Sequence, residues 1–392
     1  MNRRRDPPGP RTLATTLRIA GRAMCCSVGH HAPAACAAIH ARLNHFRETS
    51  FVAYDGKPVI GASLYGLDLW GEARHDRMAH RVIDGQNPVK GHGGGDMPVE
   101  AFAQLAGHLP ALGTKLVLFS GGEPLLRPEV FTIADVFRSA GTHLHLLTSG
   151  ILLERCADDV VRYFERVIVS LDAANEPAYH AIRGVNGLAV VERGVARLRR
   201  IAPAIPLTAR ATLHRLNYRA LPELIEHARA LALDQISFLP ADLGSLAFGR
   251  TRRLDRRTQQ DLQLTSDEVA EFRVLVEATI DRHKADFASG FIAESPDRLR
   301  RLPQYYAALL GEMPWPEVRC NAPWNSIVVE ADGTVRPCFF HAPLGNVREE
   351  SLERIVHEHL PAFRSGLDVL TNPVCQRCVC SLQTSLRSSP WS

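Results

Sequence analysis

The stretch that decides the fold is Leu116-Val117-Leu118-Phe119-Ser120-Gly121-Gly122-Glu123-Pro124, an apolar run that ends in a small, polar turn. Four consecutive apolar residues are typical of a strand that is buried in a parallel sheet. The turn combines two glycines, whose backbone can approach a ligand closely, with a carboxylate that can accept from an ammonium group. Taken alone, the same turn also fits entry into a helix, because proline is favoured in a first helical turn.

The apolar run is the first of five that alternate with helical patterns. The predicted strands are 116–119, 144–147, 167–171, 207–213 and 236–239, and the clearest predicted helices are 128–140, 190–201 and 221–233. This alternation predicts consecutive βαβ units and therefore an α/β fold with a parallel sheet or barrel. In such folds the chemistry lies on loops at the carboxyl ends of the strands. Those loops contain Ser149, Ser170 and Asp172 in addition to the glycine turn.

Composition excludes several classes of protein. The 392 residues suggest two to three domains at roughly 150 residues per domain. A hydrophobic content of 45% and a charged content of 22% are typical of globular proteins. No run approaches the roughly 18 apolar residues of a membrane helix, so no membrane partner is predicted. The net charge of +4 does not indicate a nucleic-acid partner. Three arginines, Arg11, Arg18 and Arg22, interrupt any signal-peptide core, so we expect a cytoplasmic protein.

The cysteines are unevenly distributed. Five of the nine follow residue 319: Cys320, Cys338, Cys375, Cys378 and Cys380. An odd number with tight clustering favours metal ligation over a disulfide framework. Asp332-Gly333 predicts a hairpin between strands 326–329 and 335–339, with Cys338 on the second strand. Four thiolates on a hairpin and a CxxC loop suit either a [4Fe–4S] cluster or a tetrahedral zinc.

The glycine turn closely resembles the cofactor loop of radical S-adenosylmethionine (radical SAM) enzymes, and Ser170-Leu171-Asp172 matches a second loop of that family. The resemblance covers about residues 95–381 and implies a partial (β/α) barrel that binds SAM. In the family, the GGEP loop binds the methionine amino group through its backbone and carboxylate. The matching residues are Gly121, Gly122, Glu123 and Pro124, followed by Ser149, Ser170 and Asp172. Arg210 would reach the cofactor carboxylate or form a surface ion pair.

The C-terminal cysteines resemble the SPASM domain, or its shorter one-cluster form, twitch. Cys320 is followed by twelve residues, Gly333, four residues and Cys338, and Cys375-x-x-Cys378 completes four thiolates. Cys380 would replace Cys378 as a ligand or remain a spare thiol. The resemblance favours an auxiliary [4Fe–4S] cluster over zinc. It also implies a peptide or small-molecule substrate and an electron-donor protein as partners.

The chain departs from the family at one motif. Radical SAM enzymes hold the cluster that contacts SAM with CxxxCxxC ahead of the GGEP strand, whereas this chain has no cysteine from residue 37 to residue 155. The best positional match, Ala73-x-x-x-Arg77-x-x-His80, cannot hold a cluster, because alanine and arginine offer iron no ligand. Two hypotheses follow: a radical SAM enzyme, or a non-catalytic pseudoenzyme or binding scaffold with a structural four-cysteine site.

The regions outside the barrel complete the predicted organisation. Residues 16–83 weakly resemble the start of a β-ketoacyl synthase of the thiolase fold, and Cys25, Cys26 and Cys36 would be small buried residues there. The predicted domains are 1–86 (thiolase-like), 87–300 (partial barrel) and 301–392 (iron–sulfur domain). Residues 249–263, rich in arginine, predict a solvated linker. A long helix should follow from Ser266, as its N-cap, to about Phe287.

Overall fold

The computed structural model describes residues 46–52, 58–62, 96–248 and 253–381 of the chain. The chain divides into two units, residues 1–69 and 70–392. In the first unit, β1 (Phe46–Val52) and β2 (Pro58–Ala62) pair as an antiparallel hairpin. Several residues considered above lie outside the described ranges: Cys25, Cys26, Cys36, Ala73, Arg77 and His80.

The second unit is built on a five-stranded parallel sheet. Its strands are β3 (Leu116–Phe119), β4 (His143–Thr148), β5 (Arg166–Ser170), β6 (Leu207–Leu213) and β7 (Gln235–Pro240), and their order in the sheet is their order in the chain. All five predicted strands are confirmed to within one residue at each end. The parallel order is what a succession of βαβ units produces.

Helices alternate with these strands and cover one face of the sheet. They are α1 (Val99–His108), α2 (Val130–Ser139), α3 (Leu153–Tyr163), α4 (Glu176–Arg183), α5 (Leu188–Ile201) and α6 (Leu221–Ala230). Leu146 and Val169 are almost fully buried in the core shared with these helices. Their strand neighbours Leu147 and Ser170 are only half-buried. Since successive side chains of a strand point to opposite faces, the second face of the sheet is partly open, as in a partial barrel.

Four helices follow β7: α7 (Arg256–Leu262), α8 (Ser266–Arg282), α9 (Lys284–Ser289) and α10 (Pro296–Leu309). The linker predicted over 249–263 is therefore wrong for its second half, because Asp255 caps α7 and accepts from the backbone N–H of Thr258 at 2.9 Å. The predicted long helix is two helices that divide at His283. Thr265, not Ser266, is the N-cap of α8, since it forms a reciprocal capping box with Glu268.

The last helix of this group, α10, is hydrogen-bonded to the carboxyl ends of β6 and β7. The buried Tyr306 hydroxyl donates to the carbonyl of Leu213 at 2.5 Å and accepts from the N–H of Ala241 at 3.0 Å. Ahead of α10, Ile292 forms a parallel bridge with Ile236 of β7. The chain at 291–294 therefore lies beside β7 as a continuation of the sheet.

The C-terminal region contains a small antiparallel sheet and short helices. The elements are α11 (Ala322–Asn325), β8 (Val328–Val329), β9 (Thr334–Arg336), β10 (Gly345–Asn346), α12 (Leu352–Arg354), a π-helical turn (Ile355–His359), α13 (Leu360–Ser365) and α14 (Pro373–Gln376). The predicted hairpin turn is confirmed, with Gly333 at φ +90°. Its strands are shorter than predicted, and Cys338 lies in the loop after β9, because Pro337 has no N–H to extend the ladder.

None of the helices in the described part of the chain has the length and apolar content needed to cross a membrane.

Candidate functional site

Glu123 fastens the loops after β3 and β4 to each other. It is 4% exposed, and its Oε1 accepts from the N–H of Leu125 at 3.1 Å and the hydroxyl of Thr148 at 2.8 Å. Its Oε2 accepts from the N–H and the hydroxyl of Ser149 at 2.6 and 2.5 Å. A carboxylate offers about four acceptor positions, and four protein donors occupy them here. Glu123 therefore shapes the loop from within.

The two glycines before Glu123 are exposed on the surface that it shapes. Gly121 has φ +113°, a conformation that L side chains rarely adopt, and a Cβ there would meet no atom within 4 Å. Pro124 opens the 3₁₀ turn Pro124–Leu126, and Glu123 is its N-cap. The turn is thus an entry into a helical turn, and the backbone ahead of it is exposed. The exposed backbone of Gly121 and Gly122 is called the cradle below.

Ser149 and Asp172 are buried and bonded within the protein. The Ser149 hydroxyl donates a hydrogen bond to Oε2 of Glu123. The Asp172 carboxylate lies 2.5 Å from the guanidinium of Arg183 and accepts from the N–H of Thr212 at 2.7 Å. The pair is less than 10% exposed, so it ties the loop after β5 to β6 and α4 in a low-dielectric setting. Both residues position the loops around the open face of the sheet.

A polar row crosses the open face, from the carboxyl end of β5 to the middle of β6 and β7. Ser170 is the register partner of Arg210, and Arg210 is the register partner of Ser237. All three are half-buried, and Nε of Arg210 donates to the Ser237 hydroxyl at 3.3 Å. Ser237 is not among the residues predicted from the sequence, although its position between the apolar Ile236 and Phe238 predicts the face on which it lies.

Glu294 is a second residue that the sequence did not reveal. It lies in the segment beside β7, and its carboxylate accepts from the N–H of Phe238 at 2.9 Å. Burial raises the pKa of Glu294 to about 7, against the opposing effects of that hydrogen bond and of the charges of Arg210 and Arg298. A carboxyl group that titrates near neutrality therefore lies beside the polar row.

The five C-terminal cysteines are free thiols in one neighbourhood. Burial, followed by the nearby Cys338 and Cys320, raises the pKa of the Cys375 thiol to about 11. Burial, followed by Cys380, also raises the pKa of Cys378. Backbone N–H groups donate to two of the sulfurs, Ala322 to Cys320 at 3.5 Å and Cys380 to Cys378 at 3.4 Å. Clustered thiols with N–H donors to sulfur suit an iron–sulfur cluster.

His341 completes this neighbourhood. Its Nε2 lies 3.3 Å from the Sγ of Cys375, and both residues are 8% exposed. Desolvation lowers the pKa of His341. The sequence held a signal for it, since Cys338-x-x-His341 has the spacing of many metal-site pairs. Across the described ranges, no three His, Cys, Asp or Glu side chains converge closely enough for a single metal ion.

The loop after β7 contacts the cysteine region. The ring of Phe248, in the loop after β7, lies 5.1 Å from the ring of Phe339 and 5.4 Å from that of Phe340. These two aromatic residues separate Cys338 from His341 in the chain. The loop after β7 therefore packs against the segment between Cys338 and His341.

The described residues offer no second set of thiols for a cluster at the cradle. Apart from the C-terminal five, the described part of the chain contains Cys156, which is half-buried on α3 and packed against the core. One thiol does not provide the three ligands of a SAM-binding cluster. The donor set of these residues fits SAM, and fits the auxiliary cluster, but does not fit a cluster in contact with SAM.

Two family models match the chain. The radical SAM superfamily model matches residues 83–228, and the model of the iron–sulfur cluster-binding domain SPASM matches residues 320–379. The comparisons give no support to the predicted resemblance of the N-terminal segment to a β-ketoacyl synthase.

Curated relatives share the same pair of domains in part of their length. The PqqA peptide cyclase of Rhodopseudomonas palustris is 26% identical over 288 residues, which are 72% of this chain and 67% of that protein. The PqqA peptide cyclase of Ruegeria pomeroyi is 28% identical over 310 residues, 74% of each.

A solved structure supports the fold. The structure of anSMEcpe with bound AdoMet has a TM-score of 0.51 at 18% identity and covers 72% of this chain and 74% of that one. SAM and an auxiliary iron–sulfur cluster are the cofactors that the two domain families imply. Residues 83–228 are thus a radical SAM domain, and residues 320–379 are a SPASM domain.

Proposed function

We propose that this chain binds SAM at the carboxyl ends of β3 to β6, binds an auxiliary [4Fe–4S] cluster through its C-terminal cysteines, and takes a peptide as its substrate class. The observation that carries the proposal is the arrangement around Glu123. Four internal donors fix this carboxylate, and the backbone of Gly121 and Gly122 beside it is exposed.

Each residue near the cradle has a distinct part in this proposal. The backbone carbonyls of Gly121 and Gly122 accept from the ammonium of SAM, and Arg210 faces its carboxylate. Ser170 offers a hydroxyl from the open face. Glu123, Pro124, Ser149 and Asp172 act indirectly, because they hold the loops in place. Bound SAM supplies a methionine sulfonium and a 5′-deoxyadenosyl group at this edge of the sheet.

The auxiliary cluster would be held by Cys320, Cys338, Cys375 and Cys378, with Cys380 able to replace Cys378. A cluster with four thiolate ligands carries one electron at a time and has no open iron for a substrate. The proposed role of this region is therefore electron transfer and structural support.

The peptide substrate class is supported by the named relatives. Two of them are PqqA peptide cyclases that match at least 72% of this chain. Identities of 26% and 28% leave the individual peptide unspecified. We therefore propose the substrate class alone.

The second candidate is a binding scaffold without radical chemistry. The observation that favours it is the lack of any cysteine from residue 37 to residue 155, which removes CxxxCxxC. Its C-terminal thiols would then be a structural metal site. Iron with equimolar sulfide in the purified protein supports the first candidate, and zinc alone supports the scaffold.

Calorimetry with SAM tests the cradle. We expect a dissociation constant near the millimolar range, about −4 kcal/mol, because the iron that would chelate the methionine end is lacking. Gly121→Ala should abolish the heat, since a methyl group would occupy the open cradle and strain the backbone. Gly113→Ala is the matched control: Gly113 also has a positive φ, +65°, and open space around a Cβ. Equal heats for the two variants, or no heat with the unaltered chain, would refute SAM binding at the cradle.

A further inference from the structure

We propose that His341 tunes the auxiliary cluster: its imidazole Nε2–H donates a hydrogen bond to the Sγ of Cys375 and raises the reduction potential of the cluster. The inference rests on the proposed function, since it requires a cluster on the C-terminal cysteines.

The first support is the contact itself. Nε2 of His341 lies 3.3 Å from Sγ of Cys375, which is a short distance for a hydrogen bond to sulfur. Both residues are 8% exposed. Water therefore competes little for the bond, and a hydrogen bond in a low-dielectric setting has a stronger electrostatic effect.

The second support is that both the imidazole and the backbone of His341 have partners within the protein. The ring of Phe363 packs edge-on against it, with centroids 4.9 Å apart and planes at 67°. The backbone carbonyl of His341 accepts from Nη1 of Arg336 at 3.0 Å. Arg336 is itself fixed by an ion pair with Glu330 at 2.8 Å. The loop thus orients the ring before any cluster binds.

The chemistry decides the direction of the bond. A cysteine that ligates iron is a thiolate and has no proton to donate, so the proton must lie on Nε2 of the imidazole. A donor to the sulfur withdraws negative charge from the cluster. This stabilises the reduced state, which carries one more negative charge, and so raises the potential.

The same distance argues against His341 as a ligand in place of a cysteine. In a [4Fe–4S] cluster each protein ligand binds a different iron, so two ligands do not lie at hydrogen-bond distance from each other. His341 lies at that distance from Cys375, which is one of the proposed ligands. It is therefore a positioning residue that acts through the cysteine.

The test is a redox titration of the full chain, reconstituted anaerobically with iron and sulfide and followed by electron paramagnetic resonance. The variants are His341→Leu, which cannot donate, and His341→Gln, whose amide N–H can. His357→Leu is the matched control, because His357 is exposed in the same region. All four proteins should bind about four irons. His341→Leu should lower the equilibrium constant for reduction about tenfold, which is ~59 mV for a one-electron couple. His341→Gln should retain most of the wild-type potential, and His357→Leu all of it.

Two results would overturn the inference while the proposed function stands. One is a fully loaded His341→Leu variant with the wild-type potential. The other is loss of iron from both His341 variants with the control intact, which would make His341 a ligand. Failure of the unaltered chain to bind iron and sulfide would instead remove the proposed cluster and this inference together.

Discussion

Two of the predicted site residues are bonded within the protein instead of being open to a ligand. Glu123 and Asp172 belong to the motifs that indicate the family, yet both are buried and bonded to protein groups. A buried carboxylate that accepts four hydrogen bonds from the protein holds its loop in place. It does not readily bind a ligand, because releasing any of these donors would leave a buried group unpaired at a free-energy cost. In the proposed function, SAM would contact the backbone of Gly121 and Gly122, which Glu123 positions.

This interpretation of Glu123 predicts a loss of stability in the absence of any ligand. Glu123→Ala should lower the free energy of unfolding by about 3 kcal/mol, because it leaves the N–H of Ser149 and the hydroxyl of Thr148 buried without an acceptor. Urea denaturation measures the change. Glu129→Ala is the control, since Glu129 is 51% exposed in a surface ion pair and should cost under about 1 kcal/mol. A Glu123→Ala protein as stable as this control would show that the carboxylate is available for the cofactor.

The pair formed by Asp172 and Arg183 should respond in the same manner. Asp172→Asn removes the charge that balances a guanidinium that is 5% exposed, so we expect a loss of 3–5 kcal/mol, the range typical of broken buried pairs. Glu154→Gln, in the exposed pair with Arg193, should cost about 0–1 kcal/mol. Chemical denaturation of the two variants side by side checks the difference, and equal losses would contradict it.

The sequence indicated some site residues and not others, for physical reasons. Gly121 and Glu123 could be found because the whole turn after the strand 116–119 resembles the cofactor loop of radical SAM enzymes. Ser237, Glu294 and His341 are ordinary residues whose roles arise from neighbours distant in the chain: Arg210 for Ser237, Phe238 for Glu294 and Cys375 for His341. Sequence spacing can place Ser237 on a strand face and mark His341 as a metal-site neighbour, but it does not identify these partners until the sheet register and the C-terminal loops are known.

At the scale of elements, the segment beside β7 makes stability depend on pH. The pKa of Glu294 is raised from its ordinary value of 4.5 to about 7 in the folded chain. Between about pH 4.5 and pH 7, the folded state therefore keeps a proton that the unfolded state has released. The free energy of unfolding falls as the pH rises through this range. Glu294→Gln keeps an acceptor for the N–H of Phe238 and removes the titration.

We expect the free energy of unfolding of Glu294→Gln, relative to that of the wild type, to be about 2 kcal/mol higher at pH 8 than at pH 5. Urea denaturation at the two pH values measures this gain. Glu129→Gln, at an exposed surface position, should follow the wild-type profile. A constant difference between Glu294→Gln and the wild type at both pH values would contradict the raised pKa.

The C-terminal elements are too short to be stable without further support. Their three strands contain two, three and two residues. We expect Cys338→Ser with Cys375→Ser to remove the bound metal and to make the chain protease-sensitive after about Gly311, since a structural metal site contributes on the order of 10 kcal/mol. Metal analysis and limited proteolysis measure both effects. Cys156→Ser, on α3, is the control, and unchanged metal content in the double variant would refute the site.

The same scale shows which elements could be predicted. The five strands of the barrel followed from short apolar runs, because a strand buried in a parallel sheet needs apolar residues almost throughout. The helix α7 was missed because its arginines and glutamines give no apolar stripe, and its capping by Asp255 is a local contact. The two helices α8 and α9 were predicted as one, since the pattern continues across His283, where the chain turns.

The whole molecule combines an intact cradle with an incomplete set of cluster ligands. The sheet, the glycine turn and the thiol neighbourhood are those expected of the two domain families. The cysteines expected ahead of β3 are lacking, since none lies between residues 37 and 155. The two domain families and the fold therefore could be predicted from the sequence, whereas activity requires three cluster ligands that CxxxCxxC would normally supply.

We expect that the chain as it stands does not cleave SAM reductively to 5′-deoxyadenosine. The sulfonium must receive an electron from a cluster with an iron open to SAM, and four thiolates on the auxiliary cluster leave no such iron. Anaerobic reconstitution should therefore give about four irons per chain rather than eight. Dithionite reduction with SAM, followed by chromatography, should show 5′-deoxyadenosine at the level of the protein-free blank. Turnover above that blank, abolished by serine at Cys25, Cys26 or Cys36, would show that the N-terminal cysteines supply a ligand set with unfamiliar spacing.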